Sequence, residues 1–249
     1  MAKREDVRRI GLLVPSSNTL QEVELARALP SGTTLHTTRL KLTTVDPDSI
    51  LSIVAELETE SKKLMDADVD VILFAATAPS SRNGIGYDRK LIERITAATG
   101  KPATTASTAL LEAFRVLNIR RISFGAPWGK AVNVTSVKFL EENGIRVVAD
   151  EALGVLRNQD IGLLDPETAR DMALRVDRPE ADAVMLGCGN WRALQIVEEL
   201  EKEIGKPVLT TNQVSLWHAL KIAGSKSLPG YGMLLRDYMD ADNEVRQAS

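Results

Sequence analysis

The two halves of this chain carry the same motifs in the same order. Arg8-Arg9-Ile10 followed by Pro15 returns 112 residues later as Arg120-Arg121-Ile122 followed by Pro127. Asp70-Val71-Ile72-Leu73-Phe74-Ala75-Ala76 returns at the same offset as Asp182-Ala183-Val184-Met185-Leu186-Gly187-Cys188. Gly100-Lys101-Pro102 returns as Gly205-Lys206-Pro207, and Thr104-Thr105 as Thr210-Thr211. The helical run 110–115 returns as 216–221. Ordered matches at a nearly constant offset specify a duplicated unit, and two copies this long are not a solenoid. The fold must therefore bury one pattern twice and join the copies about a pseudo-two-fold axis.

Within each copy, apolar runs bounded by turn residues alternate with longer stretches of helical period, the mark of a parallel α/β sheet. Strands are expected over 10–14, 35–40, 71–75, 103–105, 122–125, 146–150, 183–187 and 208–210. Helices are expected over 50–65, 89–98, 107–117, 131–143, 166–175, 192–204 and 214–222. Asp165-Pro166-Glu167 is a helix start, while Asn143-Gly144 and Gly205 are stops. The expected fold is α/β: two pseudo-symmetric, parallel-sheet, Rossmann-like lobes with an active-site cleft between them. Residues 1–117 with 214–249 make the first lobe, its C-terminal helix packed back, and 118–213 make the second.

Composition narrows the class. With 44% apolar and 26% charged residues, the chain is an ordinary globular protein. Its net charge of −3, with only isolated Arg8-Arg9 and Arg120-Arg121 pairs, argues against nucleic-acid binding. No long apolar run suggests a membrane span or an export signal. One cysteine rules out an internal disulfide and suits a reducing cytoplasm.

That cysteine, Cys188, ends an apolar strand and enters the turn Gly187-Cys188-Gly189-Asn190, and its repeat counterpart is Ala76. Ligands of parallel sheets sit beyond the carboxyl ends of the strands. Segments 15–18, 76–81, 127–129 and 188–190 fall there and are expected to converge on one cleft. A thiol at a turn feeding a helix is expected to have a depressed pKa, because the helix dipole favours thiolate. The plainer alternative is a buried cysteine acting as a small apolar residue. Pro15, Ser16, Ser17 and Asn18 offer hydroxyls, an amide and backbone N–H groups to a carboxylate, or else cap a helix. Thr77, Ser80 and Ser81 form a second hydroxyl-rich turn with the same two readings. Gly84-Ile85-Gly86 lacks the third glycine and preceding strand of a dinucleotide fingerprint. His218 reads as a packing residue, His36 has no evident partner, and two distant histidines with one cysteine make no metal site.

Val14-Pro15-Ser16-Ser17-Asn18 followed by Glu22, then Thr104-Thr105, Ser107-Thr108-Ala109 and Leu111, then Pro229-Gly230-Tyr231-Gly232, together resemble the aspartate/glutamate racemase superfamily. The resemblance is strongest to its branch of maleate cis-trans isomerases and arylmalonate decarboxylases. It implies catalysis without metal or organic cofactor on a small carboxylate or dicarboxylate, and it admits a homo-oligomer. Racemases and isomerases of this group use one cysteine per lobe. The decarboxylase keeps only the second, which protonates one face of an enediolate, and Cys188 opposite Ala76 matches that arrangement. By the same resemblance Thr77 and Ala78 fall on a dioxyanion site that has a threonine and a serine. Trp128 replaces a tyrosine donor and is expected to form an apolar wall. Asn158 matches a substrate-binding asparagine of the isomerase, and Gly189 and Asn190 flank the thiol. The leading expectation is decarboxylation with Cys188 as proton donor. Maleate-type isomerisation and a non-catalytic carboxylate-binding protein are the alternatives.

Overall fold

The computed structural model describes residues 7–42 and 53–239. Strands β1 (Arg8–Pro15), β2 (Thr33–Leu40), β3 (Val71–Phe74) and β4 (Ala103–Thr105) form a wholly parallel sheet in the order β2-β1-β3-β4. Strands β5 (Arg121–Trp128), β6 (Arg146–Val155), β7 (Ala183–Leu186) and β8 (Val208–Thr210) repeat that order as β6-β5-β7-β8, again all parallel. Even the register is copied. Ile10 pairs with Val71, and Ile122 pairs with Ala183, both partners advanced by the 112 residues read from the sequence.

The copies drift at their ends. Ile72 pairs with Ala103 and Val184 with Val208, so the fourth strands are 105 residues apart. Thr105 and Thr210 are the equivalent helix N-caps, accepting from the N–H groups of Thr108 and Gln213. The Thr104-Thr105 match to Thr210-Thr211 is therefore one residue out at the cap. It comes back into phase at the other end because the second helix, Thr211–Ile222, is one residue longer than Ala106–Val116.

Strands β3 and β7 are buried on both faces, which is why each reads as an unbroken apolar run rather than an alternation. The covering helices show the complementary pattern. Pro166–Val176 buries Ala169, Met172, Ala173 and Val176, one stripe of a 3.6-residue period. β6 runs five residues past its expected end. It is a half-exposed edge strand whose pairing with β5 is interrupted by register shifts, so no clean alternation marks its limit. The helix expected over 192–204 opens instead as a 3-10 turn, Leu194–Ile196, and becomes α-helical only at Val197. Of the helix expected over 50–65, residues 50–52 lie outside the described residues, and the observed helix is Leu57–Asp66.

One apolar cluster threads both sheets, joining Ile10 and Leu73 of the first to Phe124 and Met185 of the second. Phe114 and Trp217 of the two equivalent helices close it. Helix Thr211–Ile222 follows β8 in the chain, yet packs on Ala106–Val116 and touches β3. No helix among the described residues is long and apolar enough to cross a membrane.

Candidate active site

The carboxyl ends of β1, β3, β5 and β7 open into one cleft of about 740 Å³, counting its open mouth. Pro15, Asn18, Ala76, Thr77, Ala78, Trp128, Asn158, Cys188, Gly189 and Asn190 line it. Ser16 and Ser17 do not. The Ser16 hydroxyl donates to the Leu42 carbonyl (3.2 Å) and accepts from the Leu42 N–H (2.9 Å), stitching the turn to the chain leaving β2. Ser17 is buried, and its Oγ accepts from Asn158 Nδ2 at 2.9 Å. Both hydroxyls expected to meet a carboxylate are therefore committed to protein partners. Asn18 does both jobs considered for it: Oδ1 accepts from the N–H groups of Leu20 (3.0 Å) and Gln21 (2.9 Å), while the residue still faces the cleft.

Thr77 precedes helix Ala78–Asn83 but makes no side-chain cap bond to it, so its hydroxyl is not consumed there. Ser80 is wholly buried and Ser81 bonds the Ala78 carbonyl at 3.1 Å, so neither lines this cleft. Asn190 spans the lobes. Its Nδ2 donates to the Asn158 carbonyl (2.6 Å), and its Oδ1 accepts from the Thr19 N–H (2.9 Å).

Cys188 adopts φ = 107°, a region that residues bearing a Cβ rarely enter and that tends to mark functional sites. Its N–H donates to Thr211 Oγ1 at 3.0 Å, and its Sγ accepts from the Asn190 N–H at 3.4 Å. Burial pushes the thiol up to about 12, only partly offset by the Asn190 N–H. This reverses the expected depressed pKa, because the cost of burying a thiolate exceeds what the Asn190 N–H returns. After Cys188 the chain passes through turn and bend, and a regular helix begins only at Val197, so Cys188 does not itself lead into a helix.

A thiol raised from 9.0 to about 12 is ionised about 10³-fold less at neutral pH. Native protein is therefore expected to react with iodoacetamide about 10³-fold more slowly than the unfolded chain. Mass spectrometry of the single cysteine measures both rates, and equal rates contradict the buried, protonated thiol.

Trp128 walls the cleft, and its buried indole nitrogen finds no hydrogen-bond partner among the described residues. The ring leans on Phe124 (centroids 6.3 Å apart, planes at 46°) and over Gly187. A Cβ at Gly187 would meet both rings at 2.9 Å. Gly187→Ala is expected to cost about 1–3 kcal/mol by overpacking and to displace the indole. Urea unfolding followed by tryptophan fluorescence measures both effects.

Ala75 and Pro79 also line the cleft, as do Thr211, Val132, Ser136, Leu42, Ile53 and Ile161, and these last six were not picked out from the sequence. Thr211 left a trace there, as half of the repeated Thr-Thr pair. The others are apolar or hydroxyl residues whose place in the cleft depends on tertiary packing. His218 bonds Thr104 Oγ1 at 2.7 Å and stacks on Trp217, outside the cleft lining. His36 bonds Thr34 Oγ1 at 3.0 Å. Among the described residues, no three His, Cys, Asp or Glu side chains gather as metal ligands.

Comparison with known proteins places this geometry. The family model described as arylmalonate decarboxylase matches residues 10–235. A maleate isomerase of Pseudomonas putida is 31% identical over 241 residues, covering 91% of this chain and 96% of its own. An arylmalonate decarboxylase of Bordetella bronchiseptica is 28% identical over 229 residues, covering 90% and 95%. Among solved structures, the maleate cis-trans isomerase of Nocardia farcinica superposes with a TM-score of 0.88 at 28% identity, covering 92% of this chain and 98% of that one. That crystal is of a cysteine-to-serine variant holding a covalently bound succinylcysteine intermediate.

Proposed function

Since the chain belongs to the arylmalonate decarboxylase family, we propose that it decarboxylates a small substituted dicarboxylic acid without a cofactor, with the Cys188 thiol protonating one face of the resulting enediolate. The observation that carries this reading is that the Cys188 thiol and the methyl of Ala76 line the same cleft, where burial pushes the thiol up. A thiol held as S–H has a proton to give and little thiolate with which to attack carbon.

The chemistry balances simply. The bond between the α-carbon and one carboxylate breaks, carbon dioxide leaves, and the electron pair spreads over the remaining carboxylate as an enediolate. The α-carbon then takes the Cys188 proton, and water returns a proton to the sulfur. Thr77 Oγ, Asn18 and the Gly189 N–H are assigned to the carboxylate that stays. Preorganised donors aimed at developing oxyanion charge supply about 3 kcal/mol each. Trp128, Val132 and Ile161 offer apolar contact to the acid being lost, a surface that disfavours its ionised form. Maleate-type isomerisation needs a thiolate to add to an alkene carbon. The Asn158 and Asn18 lining favours it as a second reading, while the raised thiol and Ala76 weigh against it.

We read residues 1–117 with 214–249 as one lobe and 118–213 as the other. We assign the enzyme to the cytoplasm, whose reducing conditions keep a lone working thiol free. Turnover assays of substituted malonates and of maleate on purified protein test the reading. Carbon dioxide release with a single product enantiomer supports it. Fumarate from maleate without carbon dioxide release replaces it with isomerisation, and binding without turnover of any of these acids leaves a carboxylate-binding protein.

A further inference from the structure

Helix Gln21–Ala28 of the first half lies against the Cys188 turn of the second. Gln21 is fully buried, and a Cβ on Gly189 would meet its side chain at 2.6–2.9 Å. One turn along, Glu24 is only 7% exposed, and its Oε2 accepts from Asn212 Nδ2 at 2.7 Å. The same Asn212 nitrogen donates to the Gly189 carbonyl at 3.1 Å. Gly189 C=O and Asn190 N–H belong to one planar trans peptide and point in opposite directions. The N–H end of that peptide donates to Cys188 Sγ.

We propose that Glu24 is a positioning residue, fixing through Asn212 the Gly189–Asn190 peptide whose N–H rests on the Cys188 sulfur. The proposal rests on Cys188 being the reacting group. The logic is one of donors and acceptors. An ionised carboxylate only accepts, so it requires the NH₂ side of the Asn212 amide to face it. That orientation leaves the second N–H for the Gly189 carbonyl. A protonated Glu24 has a proton to donate, and the buried Asn212 Oδ1, which finds no hydrogen-bond partner among the described residues, is the acceptor within reach of an amide flip. The flip sets Oδ1 against the Gly189 carbonyl, releases the peptide, and withdraws the one hydrogen bond that favours the Cys188 thiolate.

Burial holds the Glu24 carboxyl up at about 7, with Asn212, the nearby amides of Leu194 and Ala193, and the charge of Arg192 pulling it down. Glu24 lines a cavity of about 440 Å³ with Arg27 of its own helix, Arg192, Gln195 and Tyr231. Among the described residues lining it, Arg27, Arg192 and Tyr231 are the charged or titratable groups that face Glu24. Being raised, the carboxyl is protonated below about 7 and ionised above it, so the clamp closes as pH rises.

Cys188 is the only cysteine in the chain, so alkylation reports on it alone. In wild-type protein the alkylation rate is expected to fall by more than about tenfold per pH unit as pH drops through the Glu24 transition, because thiol ionisation and clamp release act together. A slope of tenfold throughout overturns the proposal, and no variant needs to fold for this test. Glu24→Leu, which removes the acceptor at similar volume, is expected to slow alkylation several-fold, to remove the extra steepness, and to lower kcat by about 10- to 100-fold with KM held within about twofold. Asn212→Ala should do the same, and the double variant should be no worse than Asn212→Ala alone. Additive losses, or alkylation as fast as wild type in Glu24→Leu, overturn it. Alkylation does not depend on which acid is turned over. This coupling can therefore stand if decarboxylation fails in the turnover assays, and fall if decarboxylation holds.

Discussion

Cys188→Ser is expected to lower kcat about 10³-fold, within the 10²–10⁴ range of a positioned general acid, while leaving the affinity for an unreactive dicarboxylate nearly unchanged. The argument is one of acidity and reach. A thiol pushed up to about 12 is still far more acidic than the α-C–H of the product carboxylate, so transfer to the enediolate carbon runs downhill. A serine hydroxyl is a weaker acid by several pH units and sits on a shorter bond, which moves the proton away from the carbon it must meet. The proposed reading assigns the contacts that hold the ligand to Asn18, Thr77 and the backbone, not to sulfur, so binding is expected to survive. Circular dichroism establishes that the variant folds, calorimetry gives the affinity, and carbon dioxide release gives kcat. Wild-type turnover in the folded variant rules out Cys188 as the proton donor. A parallel loss of affinity makes it a structural residue of the pocket.

The duplication was legible because it is written in buried strands. β1, β3, β5 and β7 lie inside their sheets, and their apolar runs repeat with one offset that the observed register reproduces. Edge strand β6 and the cap at Thr210 were placed less well, since both depend on pairing and turn geometry rather than on hydrophobic pattern. The cleft followed from strand ends, and so Pro15, Thr77, Trp128 and Cys188 were found together. What sequence could not show was direction and dielectric. Ser16, Ser17 and Asn18 are neighbours with similar chemistry, yet only Asn18 turns to the cleft, because Leu42 and Asn158 claim the other two. Likewise the pKa of Cys188 is raised by burial, which the sequence around it does not record. Glu24 falls in a surface-looking acidic helix, and only the docking of one half on the other buries it. The residues read least well are those whose role is created at the junction between the copies.

One-sided proton delivery from Cys188, as proposed, makes the lone thiol set the stereochemical outcome, and Ala76→Cys is then the most telling gain-of-function change. Ala76 and Cys188 are repeat equivalents, and both line the one cleft, so a thiol introduced at 76 is expected to face the opposite side of the α-carbon. Wild-type protein is expected to deliver a proton from one side only and to give one enantiomer. With Ala76→Cys the enediolate meets a donor on each face, and the product is expected to approach a racemic mixture. Once one sulfur is ionised, it can remove the α-proton of the finished acid while the other supplies a new one from behind. The same variant should therefore exchange that hydrogen for deuterium in heavy water, which wild type should do far more slowly. Combining Ala76→Cys with Cys188→Ser leaves a donor on the other face alone and should return activity with the mirror-image product. Chiral chromatography of the product and proton NMR of the exchange read these outcomes directly. A folded double variant that yields the wild-type enantiomer contradicts the opposition of the two positions. So does an Ala76→Cys protein that keeps a single product hand and exchanges no faster, and with that opposition goes the one-sided delivery proposed for Cys188.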